Sequence, residues 1–427
     1  MAPQKSGYLA RVIDTELDVL LPALGALSLE GPKAVGKTAT AVRRAATVHA
    51  LDKPGILSVL KADPTRLLSG QTPILIDEWQ RMPESWDLVR RAVDEDSAPG
   101  RFILTGSSST TAPTHTGAGR IVRVQMRPMT LFERGVAKPT VSLRELLKGG
   151  RKTVAGHIRV GLEEYVREIL SSGFPGMRAA VERARRAQLD GYLARIVDRE
   201  FPDMGHPIRN PAGLRRWMNA YAAATATTAS YETIRDAATG GQNEKPSKKS
   251  TGPYRDILER LWIVDPIPAW LPSKNYFSRL SAGPKHHMAD PALAARLLGA
   301  DAMALLDARP MAPVIARDTT LLGQLFESLV ALDVRVYAQA AEASVRHLRT
   351  HGGEHEIDLI VERGDHRVLA LEVKLTHSIA ESDVSHLRWL RDSMGEDLLD
   401  AVVVTTGMDA YRRPDGIAVV PAALLGP

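Results

Sequence analysis

At 427 residues the chain is long enough for about three domains, and a single small scaffold is excluded. Hydrophobic residues (44%) and charged residues (25%) stand in the proportions of a globular protein with a sizeable core, which excludes a disordered tail and a membrane channel. Lys and Arg outnumber Asp and Glu by 55 to 50, a net charge of +5 that allows a nucleic-acid partner without demanding one, and the absence of cysteine closes every thiol chemistry.

From about Tyr8 to Met126, short apolar runs alternate with helical patterns. Ala26 to Glu30, Ile56 to Leu60, Ile74 to Asp77, Phe102 to Thr105 and Ile121 to Met126 read as strands. The run Ile74-Leu75-Ile76 lacks polar alternation, as a strand buried on both faces of a parallel sheet does. Strands separated by helix-length segments imply βαβ units, hence an α/β domain with a doubly wound parallel sheet. From Leu143 to Leu305 the pattern turns helical. Helices are expected at Leu162 to Leu170, Arg178 to Asp198 and Leu214 to Thr228, and an exposed loop at Gly240 to Pro253. Beyond Pro313 come a helix at Leu321 to Val334, strands at Ser344 to Arg349, Glu356 to Val361 and Val368 to Lys374, a helix at Ile379 to Arg391 and a strand at Ala401 to Thr405. That αβββαβ order marks a separate C-terminal domain, so the expected division is 1–140, 141–312 and 313–427. Met1 to Leu9 carries one Lys and no long apolar stretch, and no uncharged apolar run of about 18 residues occurs. Neither a secretory leader nor a membrane span is expected, and the expected location is the cytoplasm.

Gly31-Pro32-Lys33-Ala34-Val35-Gly36-Lys37-Thr38 fits the P-loop pattern of Gly, four residues, Gly, Lys and Ser or Thr, between an expected strand and an expected helix that runs on through Ala39. Glycines let backbone N–H groups turn inward around phosphate oxygens, and the helix start adds its positive dipole end. Lys37 is placed to reach the β- and γ-phosphates of ATP, and Thr38 to ligate Mg²⁺. The apolar strand ending in Asp77 and Glu78 supplies the partner: Asp77 to support the metal, Glu78 to orient the attacking water. Taken alone, this acidic pair reads equally as a helix N-terminal cap. Thr105 or Ser107, after the next strand, offers a polar contact to the γ-phosphate or water.

These motifs resemble the AAA-type ATPases of the AAA_14 family, in which a C-terminal region called DUF4143 follows the ATPase. The resemblance rests on Gly31 to Thr38, Ile76-Asp77-Glu78-Trp79-Gln80, Phe102 to Ser108, Gly119-Arg120-Ile121 and Arg127 to Glu133. It continues through Gly173-Phe174-Pro175, Tyr192 to Glu200, where Glu200 stands in place of the commoner Asp, and Gly323 to Leu329. It implies ATP and Mg²⁺ as ligands, Thr105 as a polar sensor and Arg120 as an arginine finger given to a neighbouring subunit, and therefore a homo-oligomer. Arg123 and Arg127 lie close enough to compete for that role, and Arg120 reads equally as a surface charge.

In the C-terminal domain, alternation sets Ile357, Leu359 and Val361 on one face of a strand and Asp358 on the other, while Glu372 and Lys374 share a face two residues apart. Asp358 and Glu372, completed by Glu327 from the preceding helix, are candidate ligands for Mg²⁺ against a scissile phosphate, with Lys374 activating water. The order resembles the PD-(D/E)XK nuclease superfamily, although no proline precedes Asp358. The plainer alternative for Glu372 and Lys374 is a surface ion pair on an edge strand.

The segment from Leu214 to Pro268 has the makings of a winged helix, with Lys245, Lys248, Lys249 and Arg255 near a helix that could enter a DNA groove; a solvated basic loop is the plainer alternative. His286, His287, His351 and His355 read as loop histidines. Two functional classes follow: an ATP-regulated metal-dependent nuclease acting on DNA, or a nucleotide-switched protein whose C-terminal domain only grips DNA or a protein partner.

Overall fold

A computed structural model describes residues 7–106, 117–208, 210–239, 248–271, 283–306 and 320–427. In the N-terminal part, β1 (Ala26–Glu30), β2 (Thr47–Ala50), β3 (Ile74–Asp77), β4 (Phe102–Gly106) and β5 (Ile121–Gln125) form one sheet in the order β2-β3-β4-β1-β5. Every pairing in it is parallel. β3 and β4 are buried along their whole length, as their unbroken apolar runs require. Since β4 lies between β1 and β3, the carboxyl ends of these strands are neighbours, and that edge is where open α/β sheets bind ligands.

Ile56 to Leu60 does not form the second strand. Those residues lie in the helix Pro54–Ala62, which begins with proline in its first turn and turns Leu60 to the core and Val59 to solvent. The real second strand, Thr47–Ala50, is a half-buried edge with little apolar signal.

The middle region is helical, with Leu162–Ser171, Glu182–Arg195, Pro211–Ala223, Tyr231–Ala237 and Pro291–Leu297 as its main helices. Glu182–Arg195 runs on into a π-helical turn, Ile196–Glu200. The expected loop from Gly240 to Pro253 is corrected at its end, because a helix begins at Lys248 and continues through Pro253 to Arg260. Ile257, Leu258 and Leu261 are buried and Tyr254 packs edge-on against Trp217, so the apolar stripe carries the preceding turn into the helix. Two antiparallel bridges follow, Val264 with Met288 and Ile267 with Lys285.

The αβββαβ series is present as the helix Leu321–Ala340, β9 (Ser344–Arg349), β10 (Glu356–Glu362), β11 (Val368–Lys374), the helix Ser385–Met394 and β12 (Leu398–Thr405). β13 (Asp409–Arg412) and β14 (Ala418–Pro421) extend the sheet. Its outermost strands come from elsewhere in the chain: β7 (Gly156–His157) pairs with β13, and β8 (Ala269–Trp270) pairs with β9. A further short ribbon joins β6 (Val141–Ser142) to β15 (Leu425–Gly426). One continuous apolar core runs through all three regions. Among the described residues, no helix is long and apolar enough to cross a membrane.

Simple alternation fails on β10. Its register against β9 shifts between Ile357 and Ile360, so Ile357 and Ile360 pack on the side of the helix Ser385–Met394 while Leu359 and Val361 pack on the other. A bulge of this kind re-aims a side chain, and here the re-aimed residue is Asp358.

Candidate functional site

The loop from Gly31 to Gly36 leaves β1 at the carboxyl edge and enters the helix Lys37–Val42. Gly31 (φ 150°), Ala34 (φ 65°) and Gly36 (φ 110°) hold the left-handed conformations that curl such a loop. At Gly31 a side chain is impossible, since a Cβ would lie 2.2 Å from the carbonyl oxygen of Met126. Lys37 is buried in the mouth of the loop, its Nζ donating to the carbonyls of Gly31 and Pro32 at 2.8 Å each. Burial pushes its ammonium down to about 8 against the opposing pull of Glu78 and Asp77.

Thr38 Oγ1 donates to Asp77 Oδ1 at 2.8 Å, and Thr105 Oγ1 donates to the same oxygen. The hydroxyl from the loop, the carboxylate from β3 and the hydroxyl from β4 therefore meet at one point. Thr38 and Ala39 are exposed, so the point opens outward. Glu78 sits beside it in a left-handed conformation (φ 58°, ψ 46°), and its Oε2 accepts from Gln80 Nε2 at 2.6 Å. A non-glycine residue held there is strained, which fits a functional position. The hard oxygen donors Thr38 and Asp77 suit Mg²⁺, and the loop with Lys37 suits a polyphosphate. Ser107 lies outside the described residues.

Several residues that sequence reasoning passed over anchor the loop. Arg11 donates to Val35 O (2.9 Å) and Arg127 O (2.6 Å) and pairs with Glu133 (3.1 Å), tying the P-loop to the exit of β5. Lys33 reaches across to Glu200 of the middle region at 2.6 Å, where Arg195 also pairs with Glu200 at 3.2 Å. A cavity of about 260 Å³ lies there between Lys33, Ala34, Tyr192, Arg195 and Glu200. Arg127 is committed to Asp265 (2.9 Å) and Gln339 (3.0 Å). Arg123 pairs with Glu30 at 3.2 Å. Arg120 precedes β5 at the amino edge of the sheet, opposite its own P-loop, and pairs with Asp94 at 2.6 Å while remaining half exposed.

Two of the C-terminal candidates, Glu327 and Asp358, come together around a residue that sequence reasoning missed. Lys285, 1% exposed, places its Nζ 2.8 Å from Glu327 Oε1, 2.9 Å from Asp358 Oδ1 and 3.3 Å from Glu356 Oε1. The other oxygen of Asp358 accepts the N–H of Val373 at 2.8 Å. Glu372 pairs with Lys374 at 2.8 Å through Oε1, and its Oε2 is buried with no hydrogen-bond partner. Burial and the charge of Asp358 push both Glu327 and Glu372 up to about 8. Lys285 is driven far above its ordinary value by the surrounding carboxylates, although its own burial opposes this.

The histidine expectations are corrected in part. His286 and His287 are buried core residues: His286 Nε2 lies 2.7 Å from Ala229 O, and its ring packs edge-on against Tyr221 and Tyr231. His355 stacks on Trp389 at 3.9 Å. Of the expected DNA-facing positions, Lys245 lies outside the described residues. Arg255 pairs with Asp256 and sits over the Tyr231 ring, and Asp256 and Glu259 of the same helix line a cleft with Glu30 and Arg123.

Comparison with known proteins matches three stretches of the chain. Residues 25–134 match the family described as AAA domain, residues 162–304 a domain of unknown function (DUF8612) and residues 322–425 a domain of unknown function (DUF4143). The first stretch is thus an AAA-type P-loop domain, a fold that binds ATP. Two uncharacterized proteins, from Mycobacterium tuberculosis and Mycobacterium bovis, are each 25% identical over 405 residues, which covers 92% of this chain and 79% of theirs. Among solved structures, the Walker-type ATPase PABY2304 of Pyrococcus abyssi is 18% identical with a TM-score of 0.36, covering 66% of this chain and 94% of that one. A chain of the Drosophila ORC bound to DNA is 12% identical with a TM-score of 0.19, covering 68% and 98%.

Proposed function

We propose that this protein hydrolyses ATP and uses the bound nucleotide to switch the posture of its helical and C-terminal regions toward a partner. The convergence of Thr38, Asp77 and Thr105 beside Glu78 carries the reading. Gly31 to Ala39 would hold the phosphates and Lys37 would neutralise the β- and γ-oxygens. Thr38 and Asp77 would hold Mg²⁺, which when bound supplies positive charge against the transferring phosphoryl group. Glu78, released from Gln80, orients a water; the water's oxygen bonds to the γ-phosphorus as the bridging bond to ADP breaks, and the proton lost passes to the carboxylate and then to solvent. Thr105 fixes the carboxylate of Asp77 throughout. Replacing Glu78 by Gln should leave ATP binding within about threefold and lower the steady-state hydrolysis rate by about 10²-fold or more. Hydrolysis equal to wild type would refute the assignment.

Arg120 lies too far from its own loop to touch the nucleotide it shares a chain with, so its proposed role as a finger requires a second copy. In mixtures of Arg120→Ala protein with Lys37→Ala protein, activity restored above that of either alone supports a shared site; no restoration leaves Arg120 a surface partner of Asp94. The switch reading makes the helical region the receiver of the signal, through Lys33, Glu200 and Arg195. A DNA partner gripped through the basic residues of the helix Lys248–Arg260, as in a winged helix, would reveal itself by affinity that falls steeply with salt. The competing reading, a metal-dependent nuclease, is favoured by Asp358, whose charge acts on both Glu327 and Glu372; plasmid nicking abolished by Lys374→Ala would support it.

A further inference from the structure

Oxygen ligands such as Glu327, Asp358 and Glu372 are chemically right for Mg²⁺ or Mn²⁺, but their arrangement does not fit a metal. An ammonium carries three donors; Lys285 gives hydrogen bonds to Glu327 and Asp358 and forms a further ion pair with Glu356 at 3.3 Å. The remaining oxygens are largely committed: Asp358 Oδ2 to the backbone of β11, Glu356 Oε2 to Arg349 at 3.2 Å, and Glu372 Oε1 to Lys374. Glu372 and Lys374 alternate with Leu371 and Val373, so they face the helix Ser385–Met394, whereas Glu327 comes from the helix on the opposite side of the sheet. Among the described residues, no group of three or more His, Asp or Glu is placed to hold a metal ion. Four carboxylates meet three cations here, Lys285, Lys374 and Arg349, so little negative charge is left over to draw in a divalent ion.

We infer that Lys285 is the resident cation of this cluster: its ammonium takes the carboxylates a metal would need and clamps the 283–288 segment of the middle region onto the helix Leu321–Ala340 and β10. The cluster is then a buried ion network that fastens the middle region to the C-terminal domain, not a phosphodiesterase centre. This supports the switch reading over the nuclease reading, and it does not depend on whether ATP is hydrolysed.

The test is Mn²⁺ binding to the nucleotide-free full-length protein, followed by electron paramagnetic resonance, with Mn²⁺-dependent plasmid nicking measured in parallel. Wild type should show neither binding nor nicking that Asp358→Asn removes. Lys285→Met should gain one Mn²⁺ per chain, at least tenfold tighter than anything in wild type, and adding Asp358→Asn should abolish the gain. Mn²⁺ binding or nicking by wild type that Asp358→Asn removes would overturn the inference, as would a folded Lys285→Met protein with no gained site. Should Lys285→Met not fold, Lys285→Gln replaces it, and the comparison of wild type with Asp358→Asn decides without any change at 285. ATPase rates of the same proteins report separately on the switch.

Discussion

Lys37 and Lys285 are both buried among acids, yet they are opposites. Lys37 rests on two backbone carbonyls, neutral dipoles that a polyphosphate can outbid, and burial leaves its proton loosely held at about 8. Lys285 is ringed by carboxylates that hold its proton far more tightly than usual. The contrast teaches that a buried lysine is available to a ligand when its partners are dipoles and is structural when its partners are full charges, because only the first can exchange partners without stranding a charge.

The hardest blow to this contrast would come from exchanging the losses. Lys37→Ala should lower kcat/KM for ATP by about 10²-fold or more while melting like wild type. Lys285→Met should do the reverse, keeping hydrolysis within about threefold where folded but losing about 3 kcal/mol of stability in denaturant titration, as carboxylates are left without their cation. A smaller effect sharpens it through pH. With Lys37 titrating near 8 in the free protein, nucleotide must restore a proton above that pH, so ATP affinity should weaken by up to about tenfold per pH unit above pH 8 and stay flat below it. Lys285, held protonated, should contribute no such slope between pH 6 and about 10, as nucleotide titrations of Lys285→Met would verify. Smallest of all, Lys33→Ala removes a half-exposed bridge to Glu200 and should cost only about 0.5–1 kcal/mol of stability by thermal melting. If it also uncouples nucleotide binding from protease protection of the helical region, Lys33 carries the signal as well as the contact.

The nucleotide site was legible because its chemistry is local. Glycines, lysine and threonine within eight residues specify one loop, and the unbroken apolar run before Asp77 announces a central strand. Thr47–Ala50 was not legible, since an edge strand that is half exposed carries almost no apolar signal, and Ile56 to Leu60 resembled a strand until Pro54 was given its weight as a helix starter. The C-terminal candidates were legible, but the lysine among them was not. Alternation could not reveal the bulge that turns Asp358 toward Glu327, and nothing around Gly283-Pro284-Lys285 marks a lysine whose partners lie 42 and 73 residues further along. Long-range pairing of this sort is decided by tertiary packing alone. The adjacent pair His286-His287 was the only local oddity, and burial, not ligation, explains it.

The positions of β7 and β8 reach further than topology. They cover part of the two outer margins of the C-terminal sheet with short strands donated by the segment between the ATPase and the sheet itself. An unguarded margin is a row of free backbone donors and acceptors that invites another chain. A fragment beginning at residue 313 would expose both margins at once, one along β13 and one along β9, and two open margins on one molecule are what end-to-end polymers need. The middle region therefore serves the C-terminal sheet as a partial hem.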